Sequence, residues 1–238
     1  MLNGQTFYHA TIKKTIVAFG RLFSGIKIER EGSDGVVAQT IAIPISYSNK
    51  EKWIVRIDSD PNLNNTTYTT LPRMAFEITG YTYDASRKMN RMNKIKCTAD
   101  GSSRPSMFTP VPYNIDVSLY VLTKTQGDAL QIIEQILPTF TPEYSLSINA
   151  VPEMEVVQDV PVILNSITVQ DDYDGDFQTR RFVTHTLSFT LKVNLYGQVS
   201  SGGIITTVIA SLPNQGAVYT ATGTAPGDPI TENWVETF

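Results

Sequence analysis

The run DDYDGD at 171–176 packs four carboxylates into six residues, a density that invites a calcium loop. Such a loop closes with a bidentate glutamate at its twelfth position, and counting from Asp171 or Asp172 reaches Phe182 or Val183 instead. The metal reading fails, and Asp174-Gly175 between two alternating apolar runs is a hairpin turn. Cys97, His9 and His185 could supply a nucleophile and a base. His185, however, falls at an inward position of a long alternating run, the place of a satisfied structural histidine. No nucleophile elbow, phosphate-binding loop or metal-binding histidine pair accompanies them. Glu153 and Glu155 alternate as on one solvent face of a strand, with no carboxylate partner in view. No catalytic, cofactor-binding or metal-binding residue is assigned, and the reading is not that of an enzyme.

The second chemically marked stretch is SRKMNRMNKIK at 86–96. Arg87, Lys88, Arg91, Lys94 and Lys96 stand there almost without acids, which suits phosphates or an acidic protein surface. The bland alternative is a solvated loop. No aromatic is interleaved, so stacking on bases is not expected. The whole chain has 19 basic and 23 acidic residues and a net charge of −4, so any contact with nucleic acid would be local and non-specific. Cys97 is alone, which precludes an internal disulfide and fits a reducing cytosol. The N-terminus has no basic leader before an apolar core, and no apolar run approaches the ~20 residues that cross a bilayer. A soluble intracellular product, without membrane or small-molecule partner, is expected.

The elements that must position these groups follow from periodicity. Residues 7–23 carry a helical pattern, with Ile12, Ile16, Phe19 and Phe23 on one face and Lys14 and Arg21 opposite. Ile26 and Ile28, then Ile41, Ile43, Ile45 and Tyr47, alternate on either side of Gly32–Gly35. That is a β-hairpin, with Pro44 placing its second strand at an edge or bulge. Strands are predicted at 52–58, 74–83 (weak at Gly80), 113–124, 160–169 and 181–197, and a loop at 59–72.

A second helix starts near Asp128, with Thr125 and Asp128 as its capping box, and Pro138 and Pro142 end it. Its apolar arc is too wide for one contact. Leu130, Ile133 and Leu137 form one stripe, while Ala129, Ile132 and Ile136 continue around the side and leave only Gln131, Glu134 and Gln135 wet. The expected fold is α+β, a mostly antiparallel sheet with two main helices on one face, spanning 1–199. Residues 200–238, rich in Gly, Thr and Pro, are expected as an extended C-terminal arm. Trp234 and Phe238 near its end suit a grip on a partner.

Five ordered blocks resemble one family: RLFSGIKIER (21–30), IAIPISYSNKEKW (41–53), LPRMAFEITGYTYD (71–84), QIIEQILPTFTPEY (131–144) and DGDFQTRRFVTHTLSFTLKVNLYG (174–197). They are similar to the proximal tail sheath stabiliser and completion proteins of T-even-like contractile-tailed bacteriophages, within the wider class of tail terminators. The stretches 59–70, 86–110 and 200–238 match poorly. The resemblance implies a structural virion protein, assembled in the host cytoplasm and placed at the head-proximal end of the tail. It further implies a hexameric ring that caps tube and sheath, holds the sheath extended and meets the neck or connector. No cofactor belongs to that role. Under it, Ala129, Ile132 and Ile136 are expected to meet the neighbouring subunit; the alternative is that both arcs of the helix are covered within the same chain, by helix 7–23 for instance. Arg87, Lys88, Arg91, Lys94 and Lys96 would face the DNA-containing lumen or the neck. The competing expectations are another ring-forming tail component, of tube or baseplate, and a monomeric β-rich ligand-binding module.

Overall fold

In the computed structural model, residues 6–31, 37–49, 71–97, 103–172 and 182–203 are described, together with the strands at 207–211, 218–222 and 231–235. The central element is a six-stranded sheet in the order β3 (Ile45–Tyr47), β4 (Arg73–Tyr83), β7 (Val111–Thr123), β10 (Phe182–Leu195), β9 (Val156–Asp172), β8 (Glu143–Val151). Every neighbouring pair is antiparallel except β3–β4. The α+β expectation therefore holds. The predicted strands at 74–83, 113–124, 160–169 and 181–197 are β4, β7, β9 and β10, each within a few residues at either end.

Alternation explains which face is buried. On β10, Val183, His185, Leu187, Phe189, Leu191 and Val193 are buried; of the residues between them Thr186, Ser188, Thr190 and Lys192 are half-buried, and Thr184 is buried as well. Ile115, Val117, Leu119 and Val121 of β7 lie on the same side. The predicted weak point at Gly80 is a bulge, where the β4–β7 register shifts between Ile78 and Gly80.

Both helices cover this apolar face. Helix α1 (Thr11–Leu22) seats Phe19, with Phe23 just beyond it, against Phe76, Phe140 and Phe189. Its most buried stripe is Thr11, Thr15 and Phe19, not the isoleucines at 12 and 16. The threonines are satisfied locally: Thr15 donates to the carbonyl of Thr11 (2.9 Å), and Thr11 donates to that of Ala150 (3.3 Å). Helix α2 (Gln126–Ile136) is capped by Thr125, whose hydroxyl accepts from the Asp128 amide (3.3 Å), as the sequence predicts. Pro138 stands in the 3-10 turn Leu137–Thr139 that ends it.

The expected hairpin at 26–47 is divided. β1 (Lys27–Glu31) and β2 (Val37–Ala42) pair as its arms, but the chain breaks at Pro44 and β3 joins the edge of the main sheet. The Pro44 carbonyl accepts the Met74 amide (2.9 Å), which fixes that crossing. Helix α2 holds the ribbon by side chains: the Gln131 amide both accepts from and donates to the backbone of Glu29, each at 3.1 Å. Gln135 donates to the carbonyl of Lys27 (2.7 Å). Two glutamines read as wet are thus the clasp on the edge of β1 that no strand pairs with among the described residues.

A second sheet, β11 (Ser200–Gly203), β6 (Ser103–Phe108) and β5 (Lys94–Lys96), adjoins the end where β8 passes into β9. Met107 of β6 packs there with Ala150, Val151 and Met154, flanked by Ile95, Cys97 and Tyr196. The expected boundary at 199/200 falls immediately before β11, which is hydrogen-bonded to β6. Further on, β12 (Thr207–Ser211), β13 (Val218–Thr222) and β14 (Thr231–Val235) form their own antiparallel sheet. Strands 9 and 10 pair from Asp172 and Phe182 inward as hairpin arms, while the turn expected at Asp174-Gly175 lies outside the described residues. So do the strand expected at 52–58, the loop at 59–70 and Phe238. Glu153 and Glu155 are not on a strand: Pro152–Met154 is a 3-10 turn and Glu155 is left-handed (φ 51°), because the chain reverses there from β8 to β9.

Candidate functional site

The residues expected at a subunit contact are placed otherwise. Ala129, Ile132 and Ile136 are 0, 0 and 2 % exposed within the single chain, packed over β7 and β10. A side chain with no accessible surface has nothing left for a neighbour, so the expectation for these three is corrected. The reason is geometric. α2 is covered on two sides, by the main sheet and by the β1–β2 ribbon, and the wide apolar arc serves both. The residues left outward are Leu130 (55 % exposed) and Leu137 (42 %), which bracket the exposed Glu134. Beside them Asp128 is nearly buried yet paired with Arg30 at 2.9 Å.

The basic stretch divides into a structural and a presented part. Arg87 turns inward: Nε donates to Asp84 (2.7 Å), and Nη2 donates to Asn114 Oδ1 (2.8 Å) and to the Tyr113 carbonyl (3.3 Å). Asp84 also accepts from the backbone and hydroxyl of Ser86. Those Ser86 bonds, then Arg87, hold its carboxyl well below the usual carboxylate range. Lys88, Arg91, Lys94 and Lys96 are exposed. The turn between them is fixed, because Asn90 caps the Met92 amide (3.0 Å) and its carbonyl accepts from the Thr109 hydroxyl (2.7 Å).

Strand pairing then brings in what the linear stretch lacks. Lys94 is in register with Phe108, and its ammonium sits 4.9 Å from the ring centroid. Phe108 was invisible as a partner because it lies fourteen positions away, across a hairpin. Arg104 is exposed on the next strand. Around them Met89 and Met92 are exposed, Met92 to 81 %. Trp234 stands in β14 opposite Tyr219 in register.

The groups considered for chemistry remain apart. His9 Nε2 lies 2.8 Å from the Gly197 carbonyl, while Cys97 donates to the Met154 carbonyl (3.2 Å). His185 is buried in the middle of the sheet, between Val121 and Val169, and burial lowers its pKa. Tyr120 donates to Glu77 (2.7 Å), and burial, then that carboxylate, pushes its phenol up to about 12. Among the described residues no three or more His, Cys, Asp or Glu gather as a metal site, and no helix is long and apolar enough to cross a membrane.

What the described residues present at the surface is an exposed pair of leucines on α2 and a cluster of exposed cations around β5 and β6. Residues 6–235 match the family model of the T4-like virus Myoviridae tail sheath stabiliser. The chain belongs to that family of phage tail proteins. It is also 27 % identical over 248 aligned positions to "Tail completion protein gp15" of Enterobacteria phage T4, covering 96 % of this chain and 89 % of that protein.

Proposed function

We propose that the chain forms a ring, hexameric as the family resemblance implies, at the head-proximal end of a contractile tail. There it ends the tube, holds the sheath in its extended state and meets the neck for joining to the head. The observation that carries this reading is the family match along almost the whole chain, 6–235, which spans the four described sheets and both described helices. The name of the T4 relative, a tail completion protein, points to the same stage of assembly.

In this reading the subunit contact uses the outward stripe of α2, Leu130 and Leu137, together with an unlike patch on the next copy. A closed ring is built from such heterologous contacts. The exposed cations Lys88, Arg91, Lys94 and Lys96 lie on the rim that faces the lumen or the neck, held in place by Arg87. The C-terminal arm, with Trp234 and Phe238, grips a sheath, tube or neck component. Subunits fold in the host cytoplasm and join tails before heads are attached.

The test is the mass of the purified protein by light scattering over a concentration series, with images of the same sample and of extended tails mixed with it. Six-membered rings, free or at one tail end only, are the expected outcome. Stacked tubes would instead make it a tube component. A monomer that binds no tail end would overturn the proposal.

A further inference from the structure

We infer that the outer face of the β11-β6-β5 sheet, with the turn before it, is a docking platform for an acidic protein segment carrying apolar side chains. This refines the rim of the proposed function, and it rests on that reading only in taking the partner to be a protein of the particle.

Charge comes first. By register Lys94 stands opposite Phe108 and Lys96 opposite Ser106, and by alternation Arg104 shares that face. None of these three cations has an ion-pair partner among the described residues. The third strand adds only Ser200, Ser201, Gly202 and Gly203. In a chain of net charge −4, a face with three cations and no carboxylate among the described residues is set against the sign of the whole. Its complement is acidic.

The apolar component decides between acidic partners. Phe108 is 50 % exposed at the end of the cation row, beside Lys94, and Met89 and Met92 are exposed on the adjoining turn. A phosphate backbone would use the lysines and leave the two methionines and the ring in water, whereas apolar side chains of a protein would cover them. Methionine is also the side chain that best adapts its shape to an unlike surface.

Rigidity supports the same conclusion. The turn is hydrogen-bonded through Asn90 to Thr109, next to Phe108, and Arg87 ties its start to Asn114 of the main sheet. Behind it Met107 is buried with Met154. The platform is ordered before anything binds, so little ordering entropy is lost on docking.

The full chain would be titrated with three fluorescent probes: a peptide of alternating Glu and Leu or Phe, its Ser-for-apolar counterpart of equal charge, and a short DNA duplex. The apolar acidic peptide is expected to bind about tenfold more tightly than its serine counterpart, and Met89→Ser with Met92→Ser to remove that advantage. Lys94→Glu with Lys96→Glu should weaken both peptides, and DNA should bind no more tightly than the serine peptide. Equal binding of the two peptides, indifference to the methionine pair, or preference for DNA would each overturn the inference. The substituted residues are all exposed, and a thermal melt of each variant confirms folding. The probes contain no tail component, so failure here would leave the ring proposal standing. A failed ring assay would likewise leave this result intact.

Discussion

Between helix α1 and the six-stranded sheet, Phe19, Phe189 and Met74 have at most 1 % of their surface exposed, and the rings packed on Phe19, those of Phe23, Phe76 and Phe189, are themselves buried. In the three-stranded sheet the same residue types, Phe108 and the adjoining Met92, lie open among lysines. Composition does not distinguish the two regions; the second face does. The main sheet has helices over its apolar side, so its aromatic residues are core. Among the described residues the small sheet is covered on one side, by Met107 and its neighbours, and Lys94, Lys96, Arg104 and Phe108 on the other side are exposed. Phe19→Ala should therefore cost about 3–5 kcal/mol, a large share of a domain's stability, while Met92→Ser should stay within about 0.5 kcal/mol. Urea denaturation of the two variants measures both. Similar losses would mean that the small sheet is part of the core.

Helix α2 permits the same contrast within one element. Ile132 is fully buried and Leu130 more than half exposed, two positions apart. Ile132→Ala is expected to cost about 2–5 kcal/mol and Leu130→Ala well under 1 kcal/mol. Under the proposed ring, Leu130→Asp should then reduce the mass seen by light scattering without lowering the melting temperature of the monomer. A large stability loss at Leu130 would reverse the assignment of the two stripes.

The legible and the illegible parts of this chain separate along physical lines. The long strands were read well because alternation over ten or more residues reports a half-buried sheet directly, as in Val183–Val193 of β10. The bulge at Gly80 and the cap at Thr125 are local chemistry and were equally visible. Which arc of α2 meets the chain's own sheet is not local. Periodicity shows that an arc is apolar and says nothing about whether the cover comes from β7, the β1–β2 ribbon or another subunit. The clasp of Gln131 and Gln135 on β1 is missed for the same reason, because its partners lie about a hundred residues away. The basic stretch was found as charge, but its two roles, Arg87 inward and Lys94 outward beside Phe108, depend on strands that pair only in the fold.

Close packing against α1 provides a subtler test of the buried region. A Cβ on Gly20 would stand 2.9 Å from Cζ of Phe76, whose ring is held between Phe19 and Tyr47. Alanine gains about 1 kcal/mol of helix propensity over glycine, but overpacking of this kind costs about 1–3 kcal/mol. Gly20→Ala should thus be neutral to destabilising by about 2 kcal/mol, and in a Phe76→Leu background it should be stabilising. The double-mutant cycle reads the sign change directly. Additive effects would show that the ring yields without strain.

The smallest effect expected is a pH dependence that belongs to the buried sheet alone. His185 is enclosed by the core, its Nδ1 has no partner among the described residues, and burial disfavours its charged form. Its pKa in the folded chain therefore lies below the 6.5 of an ordinary histidine, and unfolding takes up a proton wherever the two states differ. The stabilisation from keeping His185 neutral is complete above about pH 6.5 and is lost as pH falls through the lower folded value. Carboxylates also titrate as the pH falls, so the wild type alone cannot isolate the histidine. His185→Leu removes this group and leaves the carboxylates in place, which makes the difference between the two proteins the useful quantity. Denaturation midpoints from pH 7 to pH 5 should fall faster for the wild type than for His185→Leu. Parallel curves would mean that protonated His185 finds a partner in the fold, and that the core around β10 is less closed than its alternation implies.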